Sequence, residues 1–157
     1  MEIVGKEKPI MLVGPTGAGK STLIKVLNRL DGEIKKTESI TYLPYAIDTP
    51  GEMIHIPFLY NALILNSARA SMVLFLISAK RYPRLPAKLA LALKVPAIGI
   101  VSQIDGAEEA GIRRAKSALT VAGLKIIFNV SSVTGEGIDA LREFIVSAGI
   151  SLGYSKN

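Results

Sequence analysis

The stretch GPTGAGKS at residues 14–21 is the most informative part of the sequence, because it fills every fixed position of the phosphate-loop pattern G-x-x-x-x-G-K-[ST]. An apolar run at residues 9–13 precedes it and an amphipathic run at residues 20–30 follows it, so the expected strand and helix flank the loop. Glycines let successive backbone N–H groups curl round phosphate oxygens. Lys20 would place its charge on the β- and γ-phosphates, and Ser21 would offer a hydroxyl to Mg²⁺. The stretch therefore predicts a loop that binds a nucleoside triphosphate.

The predicted contacts with the nucleotide extend along the whole loop and into the helix. They are Gly14, Pro15, Thr16, Gly17, Ala18, Gly19, Lys20, Ser21 and Thr22.

Composition sets the outer limits of the prediction. With 157 residues, of which 49% are hydrophobic and 20% charged, we expect one globular domain over residues 1–157. The absence of cysteine excludes disulfides and thiolate zinc sites, and a single histidine excludes a multi-histidine metal cluster. The apolar run at residues 70–79 is far shorter than the ~20 residues that cross a bilayer, and the N-terminus lacks a signal-peptide pattern. We therefore expect a cytoplasmic protein without a transmembrane segment.

The net charge of +6 is dispersed in short clusters, at residues 35–36, 80–84 and 113–116. Such clusters are either solvated surface or a footprint for RNA, a membrane surface or an acidic partner. Aromatic residues make up 6% of the chain and do not alternate with basic ones, so nucleic acid is not the expected partner.

Short apolar runs alternate with longer amphipathic ones, which predicts a three-layer α/β fold with a mostly parallel sheet flanked by helices. The predicted strands span residues 9–13, 46–48, 72–78, 97–101 and 125–130, with a short edge strand at 40–43. The predicted helices span residues 20–30, 57–68, 87–93, 107–122 and 138–148.

Asp48-Thr-Pro-Gly51 ends the second predicted core strand. The carboxylate of Asp48 could reach Mg²⁺ through a water, and the N–H of Gly51 could bind a γ-phosphate. Alternatively the stretch is only a turn, since Asp, Pro and Gly are common turn residues.

Two later stretches could read a guanine base. Ser102-Gln-Ile-Asp105 could be a variant of the N-K-x-D element, in which Asp105 selects guanine and Gln103 replaces the lysine that covers the base; alternatively Asp105 caps the next helix. The stretch Ser131-Ser132-Val133 could give a backbone N–H to guanine O6, or be a turn that leads into the last helix.

Taken in order, the stretches GPTGAGKS, KKTESI (35–40), IDTPGE (47–52), VSQID (101–105) and VSSVTGEGID (130–139) resemble the ethanolamine-utilisation and propanediol-utilisation accessory family of P-loop, GTPase-like proteins. The resemblance covers about residues 8–147. It implies a small GTPase-like fold with GTP or GDP as ligand and Mg²⁺ as cofactor. It also implies a role beside bacterial microcompartments, with a shell protein or pathway enzyme as a candidate partner.

The resemblance further offers Thr37 as the switch threonine that ligates Mg²⁺, with Thr41 as the alternative. The implied metal set is Ser21, Thr37 and Asp48, and the implied catalytic set is Lys20, Thr37 and Gly51. Because the interval before Asp48 is short, the edge hairpin should be curtailed. Glu52 stands where signalling GTPases carry glutamine, and no arginine finger can be assigned in cis. We therefore expect slow turnover, about 10⁻⁴ to 10⁻² s⁻¹.

Four functions remain open on the sequence. They are a Mg²⁺-dependent GTPase, a GTP- or GDP-binding docking module with vestigial hydrolysis, an ATP-using small P-loop enzyme such as a kinase, and an RNA-associated GTPase. The first two share every binding residue and differ only in their rate of hydrolysis.

Overall fold

Strands and helices alternate along the chain, and the computed structural model describes residues 8–28, 41–42, 46–54, 56–81, 84–150 and 152. The strands are β1 (Ile10–Val13), β2 (Thr41–Tyr42), β3 (Ala46–Asp48), β4 (Met72–Ser78), β5 (Ala97–Ser102) and β6 (Ile127–Asn129). The helices are α1 (Lys20–Asn28), α2 (Tyr60–Ser67), α3 (Glu109–Val121) and α4 (Ile138–Ser147). Among these described helices, none is long and apolar enough to cross a membrane.

The strands form one sheet in the order β2-β3-β1-β4-β5-β6. β1 pairs in parallel with β3 and β4, and β4, β5 and β6 continue in parallel. Of the six described strands, β2 alone is antiparallel, and it pairs with β3 through two residue pairs. The predicted mostly parallel sheet with a short hairpin at one edge is confirmed.

Two apolar cores lie on opposite faces of the sheet, and β1 contributes to both through the alternation of its side chains. Ile10 and Leu12 point into the core that is completed by α1 and α4. Met11 and Val13 point into the core that is completed by α2 and α3. All four residues are fully buried, so helices cover the sheet on both faces and the architecture has three layers.

The segment at residues 87–93, predicted as a helix, forms only a 3-10 turn at Leu89–Ala92. Its backbone N–H groups bond elsewhere: Lys88 donates to the carbonyl of Val121 at 2.9 Å and Ala90 donates to that of Ala122 at 2.9 Å. These bonds attach the segment to the end of α3, and the left-handed φ of +60° at Lys88 and the extended backbone of Leu93 limit helical structure to the four residues between them. Similarly, the predicted helix at residues 57–68 begins as a 3-10 turn at Pro57–Leu59 and becomes α-helical at Tyr60.

The parallel strands bring four loops to one edge of the sheet. Gly14 follows β1, Asp48 ends β3, and Gln103 follows β5, while Ser131 lies just beyond β6. Ligands of open α/β sheets bind at this carboxyl edge, so the topology collects the predicted stretches at one place.

Candidate nucleotide-binding site

The phosphate loop between β1 and α1 depends on glycine for its shape. A Cβ on Gly14 would lie 2.4 Å from the carbonyl oxygen of Leu76 in β4, so any other residue would force the loop away from the sheet. Gly17 and Gly19 have φ angles of +85° and +89°, in the region that favours glycine. The loop therefore lies close against β4 and turns tightly before α1 begins.

The loop offers donors that suit an anion. Within the described residues, the N–H groups of Gly17 and Gly19 donate to no protein acceptor. The Lys20 ammonium is 7% exposed and donates to the carbonyls of Gly14 at 2.7 Å and Pro15 at 3.1 Å. The amine is thus held inside the curve of the loop, where a phosphate could replace the two carbonyls as its partner.

Ser21 and Asp48, two of the predicted metal ligands, are brought together. The Ser21 hydroxyl donates to Oδ2 of Asp48 at 2.5 Å, and Asp48 is 4% exposed. A hydroxyl and a carboxylate beside a phosphate loop are hard oxygen donors of the kind that Mg²⁺ prefers, so this pair fits the cation. Thr37 lies outside the described residues, and Thr41 stands in β2 opposite Asp48. Among the described residues, no group of three or more His, Cys, Asp or Glu could hold a metal ion by itself.

The Asp-Thr-Pro-Gly stretch is fixed against β1 and the phosphate loop. The buried Thr49 hydroxyl donates to the carbonyl of Leu12 at 2.8 Å. Gly51 lies so close to Thr16 that a Cβ there would come within 2.1 Å of the Thr16 nitrogen. Gly51 therefore adjoins the loop that it was predicted to assist.

The end of β5 is tied to the phosphate loop by two side chains. The Ser102 hydroxyl donates to the carbonyl of Ala18 at 2.6 Å, and Ser102 is 5% exposed. The Gln103 amide donates to the carbonyl of Gly17 at 3.1 Å and accepts from the Ser78 hydroxyl at 2.5 Å. Gln103 holds a positive φ of 58° to do so. The residue expected to cover the base thus also links β4 to the loop.

Asp105 lies between a hydroxyl and an ammonium. Ser131 donates to Oδ1 of Asp105 at 2.8 Å, and Lys80 lies 3.4 Å from Oδ2. The Ser131 hydrogen bond is the main cause that lowers the pKa of Asp105 below its ordinary value of 3.8, while partial burial acts in the opposite direction. The backbone N–H of Asp105 and the charge of Lys80 lower this pKa further. Asp105 is therefore a carboxylate, which accepts and does not donate, at neutral pH.

The Ser131-Ser132-Val133 turn closes round the buried Ser131 hydroxyl. This oxygen accepts the N–H groups of Val133 at 3.2 Å and Thr134 at 3.0 Å. The N–H of Ser132 donates to no acceptor within the described part of the chain. Among the described residues, Ser132 is thus the member of the turn whose backbone N–H lacks an acceptor, whereas the side chain of Val133 is 83% exposed.

Most predicted site residues converge on the phosphate loop or directly follow its neighbouring strands. Among the described residues, three further ones contact the site without having been predicted. Ser78 bonds Gln103, Lys80 pairs with Asp105, and the Arg81 guanidinium lies against Gly17. Lys80 and Arg81 were visible in the sequence only as part of a basic cluster.

The fold and the site together define a P-loop protein with the GTPase fold. Similar solved structures include elongation factor SelB from Methanococcus maripaludis in complex with the GTP analogue GPPNHP, at 22% identity and a TM-score of 0.65, covering 90% of this chain and 33% of that one. A probable GTP-binding protein EngB matches at 17% identity and a TM-score of 0.64, covering 89% and 97% of the two chains. The chain spans about a third of the SelB chain. Identities this low establish a common fold.

Sequence comparison gives the family. The family model described as "Ethanolamine utilisation - propanediol utilisation" matches residues 7–147. The propanediol utilization protein PduV of Citrobacter freundii is 31% identical over 140 residues, which cover 88% of this chain and 93% of that relative. This chain belongs to the ethanolamine utilisation–propanediol utilisation family, as the motifs predicted.

Proposed function

We propose that the protein binds guanine nucleotides and hydrolyses GTP slowly with Mg²⁺, as an accessory factor of ethanolamine or propanediol utilisation. The observation that carries the proposal is the Asp105 carboxylate, which accepts a hydrogen bond from Ser131 at the same edge of the sheet as the phosphate loop. The family and the GTPase fold support the same assignment.

Guanine presents two donors, N1–H and the exocyclic amine, on one edge, and a carboxylate is the complementary acceptor. Adenine would leave Asp105 without such donors, and an unpaired polar group lowers affinity strongly. The free N–H of Ser132 would bind guanine O6, an acceptor. The Asp105 carboxylate would therefore accept hydrogen bonds from the base, and the Ser132 N–H would donate one to it.

The phosphates would bind to the N–H groups of Gly17 and Gly19 and to the Lys20 ammonium. Mg²⁺ would be held by Ser21 and Asp48, with Thr37 as the further ligand proposed from the resemblance. When bound, this cation neutralises charge on the β- and γ-phosphates. Gly51 would give its N–H to the γ-phosphate from its position beside Thr16.

Turnover should be slow, about 10⁻⁴ to 10⁻² s⁻¹, the range of GTPases that act without a partner. Glu52 follows Gly51, and a carboxylate orients an attacking water near phosphate poorly because like charges repel. A turnover near 10 s⁻¹ by the purified protein alone would contradict this part of the proposal.

The test is Asp105→Asn with GTP, ATP and xanthosine triphosphate as competitors. Loss of hydrogen bonds to a charged acceptor should weaken GTP by about 2 kcal/mol, or ~30-fold. It should also favour the xanthine nucleotide, which presents a carbonyl at that edge. Asp139→Asn is the control, because its side chain is 91% exposed on α4. Guanine recognition would be rejected if Asp105→Asn bound GTP as tightly as the wild type. It would also be rejected if ATP competed as well as GTP for the wild-type protein.

A second candidate is a docking module whose hydrolysis is vestigial. Large apolar side chains are exposed just after Gly51, at Ile56 (43%), Phe58 (87%) and Leu65 (72%). A surface of this kind favours contact with another protein. Single-turnover hydrolysis, measured with and without a purified shell protein, separates the candidates, since only a GTPase turns over GTP in either assay.

A further inference from the structure

Arg81 lies at the phosphate loop although it follows β4. A Cβ built on Gly17 would meet three atoms of its guanidinium, Cζ at 2.9 Å, Nη2 at 3.0 Å and Nε at 3.2 Å. Because the central Cζ is the nearest of the three atoms, this Cβ position lies over the flat side of the guanidinium and not at its edge. Adding a C–C bond of about 1.5 Å to the shortest distance puts Cζ within about 4.4 Å of the Gly17 Cα.

The donors of this guanidinium have no acceptor among the described residues. A group that is contacted on its flat side keeps its N–H bonds directed outward in the plane. Within the described part of the chain, the Arg81 guanidinium makes no hydrogen bond or ion pair. Its neighbour Lys80 instead faces Asp105, and the distant Arg142 is bonded to Val26 and Asp139.

The residue that Arg81 covers is itself part of the anion cradle. The N–H of Gly17 has no acceptor within the described residues, and its carbonyl is held by Gln103. A planar guanidinium with free N–H groups, next to a backbone N–H that is also free, is suited to the oxygens of a phosphate.

We propose that Arg81 is a phosphate-contacting residue of this nucleotide site, which donates hydrogen bonds to the phosphate chain of the bound nucleotide. The inference rests on the proposed nucleotide binding and adds a cation from within the chain to that of Lys20. It assigns Arg81 to affinity for the bound nucleotide, so GDP and GTP should both depend on it.

The experiment measures the Kd of GDP and GTP for the full chain and for Arg81→Ala, Arg81→Gln and Arg81→Lys. We expect the alanine and glutamine variants to bind both nucleotides about tenfold more weakly, because a charge-assisted, forked contact is lost. The lysine variant should recover part of this affinity, since it restores charge without the fork. Arg113→Ala is the matched control: Arg113 is an exposed arginine of α3 without a hydrogen bond or ion pair among the described residues, and its loss should change Kd less than twofold.

Thermal unfolding separates a ligand contact from a structural role. Without nucleotide, the unfolding temperature of Arg81→Ala should match that of the wild type, whereas the upward shift caused by saturating GDP should be smaller. An equal drop with and without nucleotide would make Arg81 a structural residue and overturn the inference. If the wild type and Arg81→Ala bind GDP with the same Kd, this inference is overturned and the proposed function is not. Wild-type protein that binds no nucleotide overturns the proposed function as well.

Discussion

The hydrogen bond from Ser102 to the carbonyl of Ala18 joins β5 to the phosphate loop, and Ser102→Ala removes it. The bond is 2.6 Å long, and both residues are buried, at 5% and 1% exposure. A buried hydrogen bond contributes about 1 kcal/mol net, and a carbonyl left without a donor costs about 1–3 kcal/mol. We expect the free energy of unfolding to fall by about 1.5 kcal/mol.

For a chain of 157 residues, each kcal/mol shifts the unfolding temperature by about 2–4 °C, so this variant should unfold about 3–6 °C lower. Urea unfolding gives the free energy directly, and an unchanged m value would show that the compactness of the two states is unaltered. GDP affinity should fall as well, by about fivefold, because the loop that carries Gly17 and Lys20 loses a fixed point near Ala18. A fivefold change in Kd corresponds to about 1 kcal/mol.

Ser117→Ala is the control, since Ser117 is exposed on α3 and its hydroxyl makes no hydrogen bond among the described residues. That variant should be as stable as the wild type or slightly more stable, because alanine is the better helix former. Unfolding free energies that agree within about 0.3 kcal/mol for wild type and Ser102→Ala would contradict this account, because the loss of a buried hydrogen bond should cost more than that.

Two further predictions concern Asp105 and Arg142. Ser131→Ala should raise the pKa of Asp105 toward its ordinary value of 3.8, since its main stabilising hydrogen bond is lost; carboxyl carbon chemical shifts measured by NMR against pH would show this. Because the folded-state pKa of Asp105 is lowered, the contribution of this carboxylate to stability is present above pH 3.8 and is lost as the pH falls through the lowered value. If the wild type and Ser131→Ala lost this contribution at the same pH in a titration of stability, the role of Ser131 would be contradicted. Arg142→Ala should lower the unfolding free energy by about 2 kcal/mol, because the carbonyls of Val26 and Leu27 at the end of α1 lose a donor from a side chain that is largely buried. Asp139→Ala removes another partner of Arg142, but its carboxylate is 91% exposed, so urea unfolding should show a change below about 0.5 kcal/mol; equal losses in the two variants would be inconsistent with this account.

The sequence predicted the parts of the site that depend on local order. The phosphate loop requires glycine, lysine and serine at fixed spacing, and its flanking strand and helix follow from apolar periodicity. The order of the later stretches placed Asp48, Asp105 and Ser131 at the same edge of the sheet, because parallel strands put their carboxyl ends together.

Contacts between distant positions could not be predicted in the same way. Ser102 bonds Ala18 across 84 positions of sequence, and a lone serine at a strand end has no pattern that reveals its acceptor. Arg81 is one of several basic residues in the chain, and only the fold shows that it covers Gly17. The helix predicted at residues 87–93 was wrong because Lys88 adopts a left-handed φ of +60°, which no local pattern in the sequence indicates.

The phosphate loop is held at three successive places by its neighbouring strands. Gly14 lies against the carbonyl of Leu76 in β4. The carbonyl of Gly17 accepts a hydrogen bond from the Gln103 amide, and that of Ala18 accepts one from the Ser102 hydroxyl. Its conformation is therefore set before a ligand arrives, and binding a phosphate chain there costs little conformational entropy. The diphosphate portion of a nucleotide should therefore bind with a small entropic penalty. Differences in binding entropy between GDP and GTP would then report on ordering outside this loop.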